Sequence, residues 1–275
     1  MLLTIVVLFA APPLSAEDNA ALEIVRRCMT KDQTNWQQAR NYTYLRRSEE
    51  KELDNNGGVK STETKTVDVS ILYGERYRRL VRKNDKPLDP GDEEKEQAKL
   101  NKFVQERQNE SEQEKAKRLA KVERERQKQR EFLREVPDAF VFKQLADEVI
   151  DGRPVFVIEG TPKPGYTPQL DEAKILKRVR ARFWIDKSEY QWIKAEAEIL
   201  DTVSFGLFLV RVEKGSRFEF EQARINNEIW LPKHQHQVMY GRLGLIKRVH
   251  VDVDSVETSY KKFTANSKIV SIDAK

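Results

Sequence analysis

Three histidines are the residues of this 275-residue sequence best suited to metal or acid–base chemistry, and they cluster: His234 and His236, then His250 beside Asp252. Residues two apart on a strand share a face, so His234 and His236 point the same way. A two- or three-ligand metal site is therefore a geometric option, whose last member depends on the turn at 241–244. An exposed histidine on a strand is the commoner arrangement, and neither a metal nor another cofactor is expected. The single cysteine, Cys28, falls on the apolar side of a predicted helix with no histidine near it in sequence, and reads as a small buried apolar side chain. No nucleophile elbow, phosphate loop, zinc-protease helix or dinucleotide fingerprint occurs. Carboxylate pairs arise by abundance alone among 45 Asp and Glu. The sequence predicts a protein that is not an enzyme.

The same acids stand against 50 Lys and Arg, for a net charge of +5. That is a mixed-charge surface with no strong cationic field, so nucleic acid is not an expected partner. Twelve Phe, eight Tyr and four Trp are enough to fill a core, which excludes wholesale disorder. Residues 1–16, MLLTIVVLFAAPPLSA, carry an apolar run too short to span about 30 Å of hydrocarbon, then Pro12-Pro13 and a small-residue exit. They read as a signal peptide cleaved near Ala16, which would deliver the mature chain to the periplasm.

The elements that must position any site follow from periodicity. Between Glu17 and Arg40, Ala21, Val25, Cys28, Met29, Trp36 and Ala39 lie along one face of an amphipathic helix. From Tyr42 the pattern is strand-like, with a hairpin turn at Asn55-Asn56-Gly57-Gly58 and further strands at Val59–Leu72 and Arg76–Val81. The 40 residues Asp92–Glu131 hold 23 charges with a net of only +1, no Gly and no Pro, and are predicted to be helical. This charged helical insertion, taken as residues 92–135, is either one solvated rod or a hairpin whose tip lies in the apolar-free stretch Gln105–Ser111. Its heptad signal does not persist over three repeats.

Strands return at Phe140–Ile150 and Arg153–Gly160 across Asp151-Gly152, with one or two helical turns at Asp171–Lys177. Then follow Arg178–Asp186, Gln191–Asp201, Arg211–Gln222, Glu228–Tyr240 and a last strand from Leu245 to about Phe263, and a short flexible tail at 264–275. The expected class is α+β: a large curved antiparallel sheet, or half-open β-barrel, spanning 17–263, with an N-terminal helix and the charged insertion.

Alternation divides the later strands into two faces. Val179/Ala181/Phe183/Ile185, Ile193/Ala195/Ala197/Ile199 and Phe218/Phe220 form an apolar set. Arg178/Arg180/Arg182, Lys194/Glu196/Glu198 and Arg217/Glu219/Glu221 form a charged one, expected to be laced by cross-strand pairs. Two helices offer little area to cover so wide an apolar face, which leaves two outcomes: a filled core, or a hydrophobic hollow fit for an acyl chain. The residues expected to line such a hollow are Phe183, Ile185, Ile193, Ile199, Phe208, Phe218 and Phe220. Thr202–Val210, apolar on both faces around Gly206, is a buried strand or a lip at the cavity mouth.

The strand Arg182-Phe-Trp-Ile-Asp186, its successor Tyr190-Gln-Trp-Ile-Lys194, the late strand Asn227-Glu-Ile-Trp-Leu-Pro232 and the hairpin from Asn41-Tyr42 behind an N-terminal helix resemble the outer-membrane lipoprotein-sorting proteins of the LolA/LolB type. The resemblance covers about 17–90 and 136–263. It implies a half-open β-barrel whose concave face carries lipid or lipoprotein acyl chains without catalysis, and peripheral contact with a membrane. The charged insertion departs from that family's compact pattern. It suggests the alternative of an envelope scaffold that binds a protein partner through the insertion.

Overall fold

The structure is a computed structural model that describes residues 16–205, 210–244 and 247–263. Residues 1–15 of the expected signal peptide (1–16), the tail from 264 and Phe208 lie outside the described residues. Helix α1 (Ala16–Ala39) leads into β1 (Tyr42–Leu53), β2 (Val59–Leu72), β3 (Glu75–Lys83) and the two-residue β4 (Lys86–Pro87). Helices α2 (Pro90–Gln108) and α3 (Glu112–Arg134) follow, then the single turn α4 (Val136–Ala139). The remaining strands are β5 (Phe140–Gln144), β6 (Glu148–Ile150), β7 (Arg153–Pro162), β8 (Val179–Asp186), β9 (Trp192–Ile199), β10 (Val203–Phe205), β11 (Val210–Val212), β12 (Arg217–Ile225), β13 (Ile229–Leu243) and β14 (Lys247–Lys262), with a 3-10 segment at Glu172–Arg178.

All strands join one antiparallel sheet in the order β4-β3-β2-β1-β14-β13-β12-β9-β8-β7-β5; β6 also pairs with β7, and β11 bridges β10 to β13. The sheet does not close on itself. The expected α+β open sheet with an N-terminal helix and helical insertion is therefore what the chain forms. Local chemistry sets its turns. Asp54 Oδ1 accepts the N–H groups of Asn56 at 2.7 Å and Gly58 at 2.8 Å, closing the β1–β2 hairpin. Asp151 and Gly152 both take positive φ (48° and 76°), as a type I′ turn requires.

Close approach explains one glycine inside a strand: a Cβ on Gly241 would lie 2.4 Å from the Arg211 carbonyl oxygen, so only glycine lets β11 settle against β13. The Phe140–Ile150 segment, expected to be one strand, is two short ones on β7. The Thr202–Val210 segment contributes β10 and the first residue of β11, which pair with each other.

The two faces are mostly those the alternation predicts. The charged set carries Arg180–Glu198 at 2.6 Å, Arg182–Glu159 at 3.0 Å and Lys194–Glu219 at 2.8 Å. Opposite it, α1 inserts Ala21, Val25 and Cys28, all essentially inaccessible, against Phe142, Ile158, Ile185 and Ile199. Ile193 is the exception. Trp184 pairs with Lys194 but Ile185 with Trp192, and this one-residue bulge turns Ile193 to the outer face. There it packs with Val155, Val157, Trp184 and Trp230.

Burial pushes the Cys28 thiol well above its ordinary range, and nearby Asp32 adds to the effect. Cys28 in the native protein is expected to react with a thiol reagent at least about 100-fold more slowly than in guanidinium chloride, because labelling must wait for an opening of the core. Stopped-flow labelling measures the ratio, and comparable rates would mean that α1 does not bury it.

The charged insertion folds back on itself. Pro90 at the first turn and the Asp89 side chain, which accepts from the Asp92 N–H, start α2. A capping box between Ser111 and Glu114 restarts the chain as α3. The break falls at the end of the apolar-free stretch, so the single rod is replaced by two helices that diverge over the sheet. Helix α2 runs along the edge strand β3: buried Glu96 accepts the Leu80 N–H at 3.1 Å, and Phe103 meets the Tyr77 ring at a centroid distance of 4.8 Å. An exposed edge N–H row invites pairing with another chain, and here a helix covers it. Helix α3 starts near β3, where Arg118 donates to the Tyr73 carbonyl at 3.1 Å, and ends at α1, where Arg130 lies 4.8 Å from the Trp36 ring centre. The insertion is thus built into the fold.

Candidate ligand cavity

A cavity of about 890 Å³ lies between α3, the last two turns of α1, β3 and the helix-covered face of the sheet. Its position follows from the helices. The first half of α1 fills the space over β5, β7 and β8, whereas α3 spans the far half as a strut anchored at its two ends. From Arg118 to Arg130 is about 18 Å at 1.5 Å per residue, the length of the roof. The last two turns of α1 are fixed to the sheet by one amide: Asn35 donates to the Trp230 carbonyl at 2.7 Å and accepts the Trp230 N–H at 2.9 Å.

The lining is polarised along that roof. At the α1 end stand Trp36, Trp192, Phe220 and Leu133. Asp32 is held there by the Trp192 indole N–H at 2.7 Å and the Gln191 amide at 3.0 Å. Burial raises its pKa, and these hydrogen bonds oppose the rise. At the β3 end stand Arg76, Arg78, Arg107, Arg118 and Lys121. Glu75 holds both Arg107, at 2.8 Å, and Arg118, at 3.4 Å. Among the described residues Arg76, Arg78 and Lys121 have no carboxylate within ion-pair distance; Arg76 donates instead to the Tyr44 hydroxyl at 3.2 Å.

The floor is formed by Tyr44, Gln235 and Tyr260, next to a buried ion pair. Arg46 meets the fully inaccessible Glu257 at 2.8 Å, and Gln235 donates to the same carboxylate oxygen at 2.9 Å. The other oxygen, Oε2, has no partner among the described residues, and burial raises the Glu257 pKa against the pull of Arg46.

Of the residues expected to line a hollow, Phe220 lines this cavity. Phe183, Ile185, Ile199 and Phe218 belong to the packed cluster beneath α1, Ile193 is on the outer face, and Phe208 lies outside the described residues. The filled core and the hollow, posed as alternatives, occur side by side. Sequence reasoning missed the cationic end because β1 to β3 were not sorted into faces. The signal was there: in Glu75-Arg-Tyr-Arg-Arg79, alternation puts Arg76 and Arg78 on one side.

The histidines do not converge. All three are on the outer face, but His250 stacks edge-on against Tyr240, centroids 5.5 Å apart, while His234 and His236 bond Asp254 and Asp252 at 2.7 and 2.9 Å.

No family model matches the chain, and no curated protein does. Solved structures similar to it include a putative outer membrane lipoprotein-sorting protein domain from Vibrio parahaemolyticus (10% identity, 92% of this chain and 95% of that one, TM-score 0.38). Others are a DUF1329 family protein from Desulfovibrio piger (10%, 92% and 96%, TM-score 0.34) and a LolA superfamily protein from Nitrosomonas europaea (10%, 89% and 93%, TM-score 0.33). The likeness is one of fold.

Proposed function

We propose that the protein is an exported, non-enzymatic carrier of the periplasm that holds an acyl-bearing amphiphile, a lipid or a lipoprotein's acyl chains, in the cavity beneath α3. The observation that carries this reading is the polarity of the walls. Trp36, Trp192 and Phe220 offer an apolar slot at one end, and Arg76, Arg78 and Lys121 offer cations that have no carboxylate partner among the described residues at the other. Ligand pockets of this kind are mostly apolar, with a few placed polar groups that fix orientation. The acyl chain lies toward α1 and an anionic end group toward β3. Among the described residues no helix is long and apolar enough to cross a membrane, which fits a carrier that touches membranes peripherally.

The test is native mass spectrometry of protein purified from the periplasm, together with displacement of a fluorescent fatty-acid probe. A co-purifying acyl species with an acidic end group is expected. Phe220→Asp should weaken probe binding about 10- to 100-fold, the worth of one buried aromatic side chain. Arg78→Glu should weaken an anionic probe more than its neutral alcohol analogue. Ligand-free protein that binds neither probe sinks the reading.

A further inference from the structure

On the outer face, opposite the cavity, the pairing chemistry changes from arginine and lysine on the earlier strands to histidine on β13. Glu221 sits directly across from His234, and Glu219 from His236. One ligand atom from each of Glu219, Glu221 and His234 lies within 4.8 Å of the others, all three side chains being half-buried. On the far side of β13, the Asp254 carboxylate of β14 accepts from His234 Nε2, 2.7 Å away.

From this geometry we propose a divalent transition-metal site, of zinc type, formed by His234, Glu219 and Glu221, with Asp254 positioning the imidazole. One nitrogen and two carboxylates suit zinc and leave a coordination position for water. A carboxylate bonded to a ligating histidine fixes the ring and raises its basicity. The three donors come from adjacent rungs of paired strands in a continuous sheet, so little side-chain freedom is lost when an ion joins them. Lys194 holds Glu219 at 2.8 Å and Lys233 approaches Glu221 at 3.9 Å. These pairs are only partly buried, and a divalent ion competes with each lysine for its carboxylate.

Glu221 also borders the cavity, whereas Glu219 and His234 do not, and the site is tested on the untagged chain by equilibrium dialysis against zinc chloride, with cobalt(II) absorption as a second readout. One zinc per chain is expected, bound at micromolar concentration. His234→Ala should abolish it, and Glu219→Gln and Asp254→Asn should each weaken it about 10-fold or more. His250→Ala, on the same face but against Tyr240, should leave it unchanged. Absence of zinc binding at about 100 µM, or binding that survives His234→Ala, overturns the proposal.

Discussion

Replacing Arg46 with Met should lower the unfolding free energy at pH 7.5 by about 3 kcal/mol, the lower part of the range for breaking a buried ion pair. Arg46 keeps 26% of its side chain exposed, but its partner Glu257 keeps none, and one of its oxygens already lacks a partner. Without the guanidinium the carboxylate retains a single hydrogen bond, from Gln235. The pH dependence has a definite sign. Burial raises the Glu257 pKa in the folded state, so its stabilising contribution is fully present in acid and is lost as pH rises through the folded value. The Arg46→Met deficit should therefore shrink between pH 7.5 and pH 4.5, because a protonated carboxyl needs no counter-charge. The double variant Arg46→Met/Glu257→Leu should regain most of the loss, since two apolar side chains leave nothing unsatisfied. Urea melts of the wild type, Arg46→Met, Glu257→Leu and the double variant at both pH values give the coupling energy. Additive effects, or a deficit that grows in acid, would contradict this account.

Excising residues 90–134 and bridging the ends with a Gly/Ser linker should remove binding of an acyl probe, with a loss of more than 100-fold, and lower the melting temperature by about 10 °C. At 2–4 °C per kcal/mol for a chain of this size, that corresponds to a few lost contacts of ordinary strength. The contacts are the Glu96 bond to Leu80, the Phe103–Tyr77 stack and the bond from Arg118 to Tyr73. The uncovered β3 edge should also make the variant associate, visible by analytical ultracentrifugation. Excision of an arm that merely recruits a partner would leave melting temperature, probe affinity and association state unchanged.

How much of this was legible in the sequence depended on the kind of force involved. Apolar alternation on β8, β9 and β12 located the core face, because burial of alternate side chains is what a sheet writes into its sequence. It misplaced Ile193, since the bulge beside Trp184 is a matter of backbone register that no residue type marks. The charged insertion was recognised by composition, and its capping residues Asp89 and Ser111 were present to be read. Its attachment was less legible: beside the Phe103–Tyr77 contact, α2 docks through a carboxylate on a strand N–H and α3 through an arginine on a carbonyl, polar contacts that no hydrophobic stripe announces. The most apolar residues are the ones α1 packs against, so apolar alternation points to the core and away from the cavity. The open volume lies where Trp36, Trp192, Arg76 and Arg78 stand apart.

The strand order joins β1, the first strand, to β14, the last described one, in the interior of the sheet: the β1–β4 sheet half meets the rest only along that seam. Every ladder bond across it closes a loop of about 200 residues, so the sheet has high contact order and its completion is slow. The two halves cannot pair strand to strand before β14 has been made, although α3 already links β3 to α1. The continuous sheet is therefore completed last, when residues 247–262 insert between β1 and β13, whatever has already packed on either side.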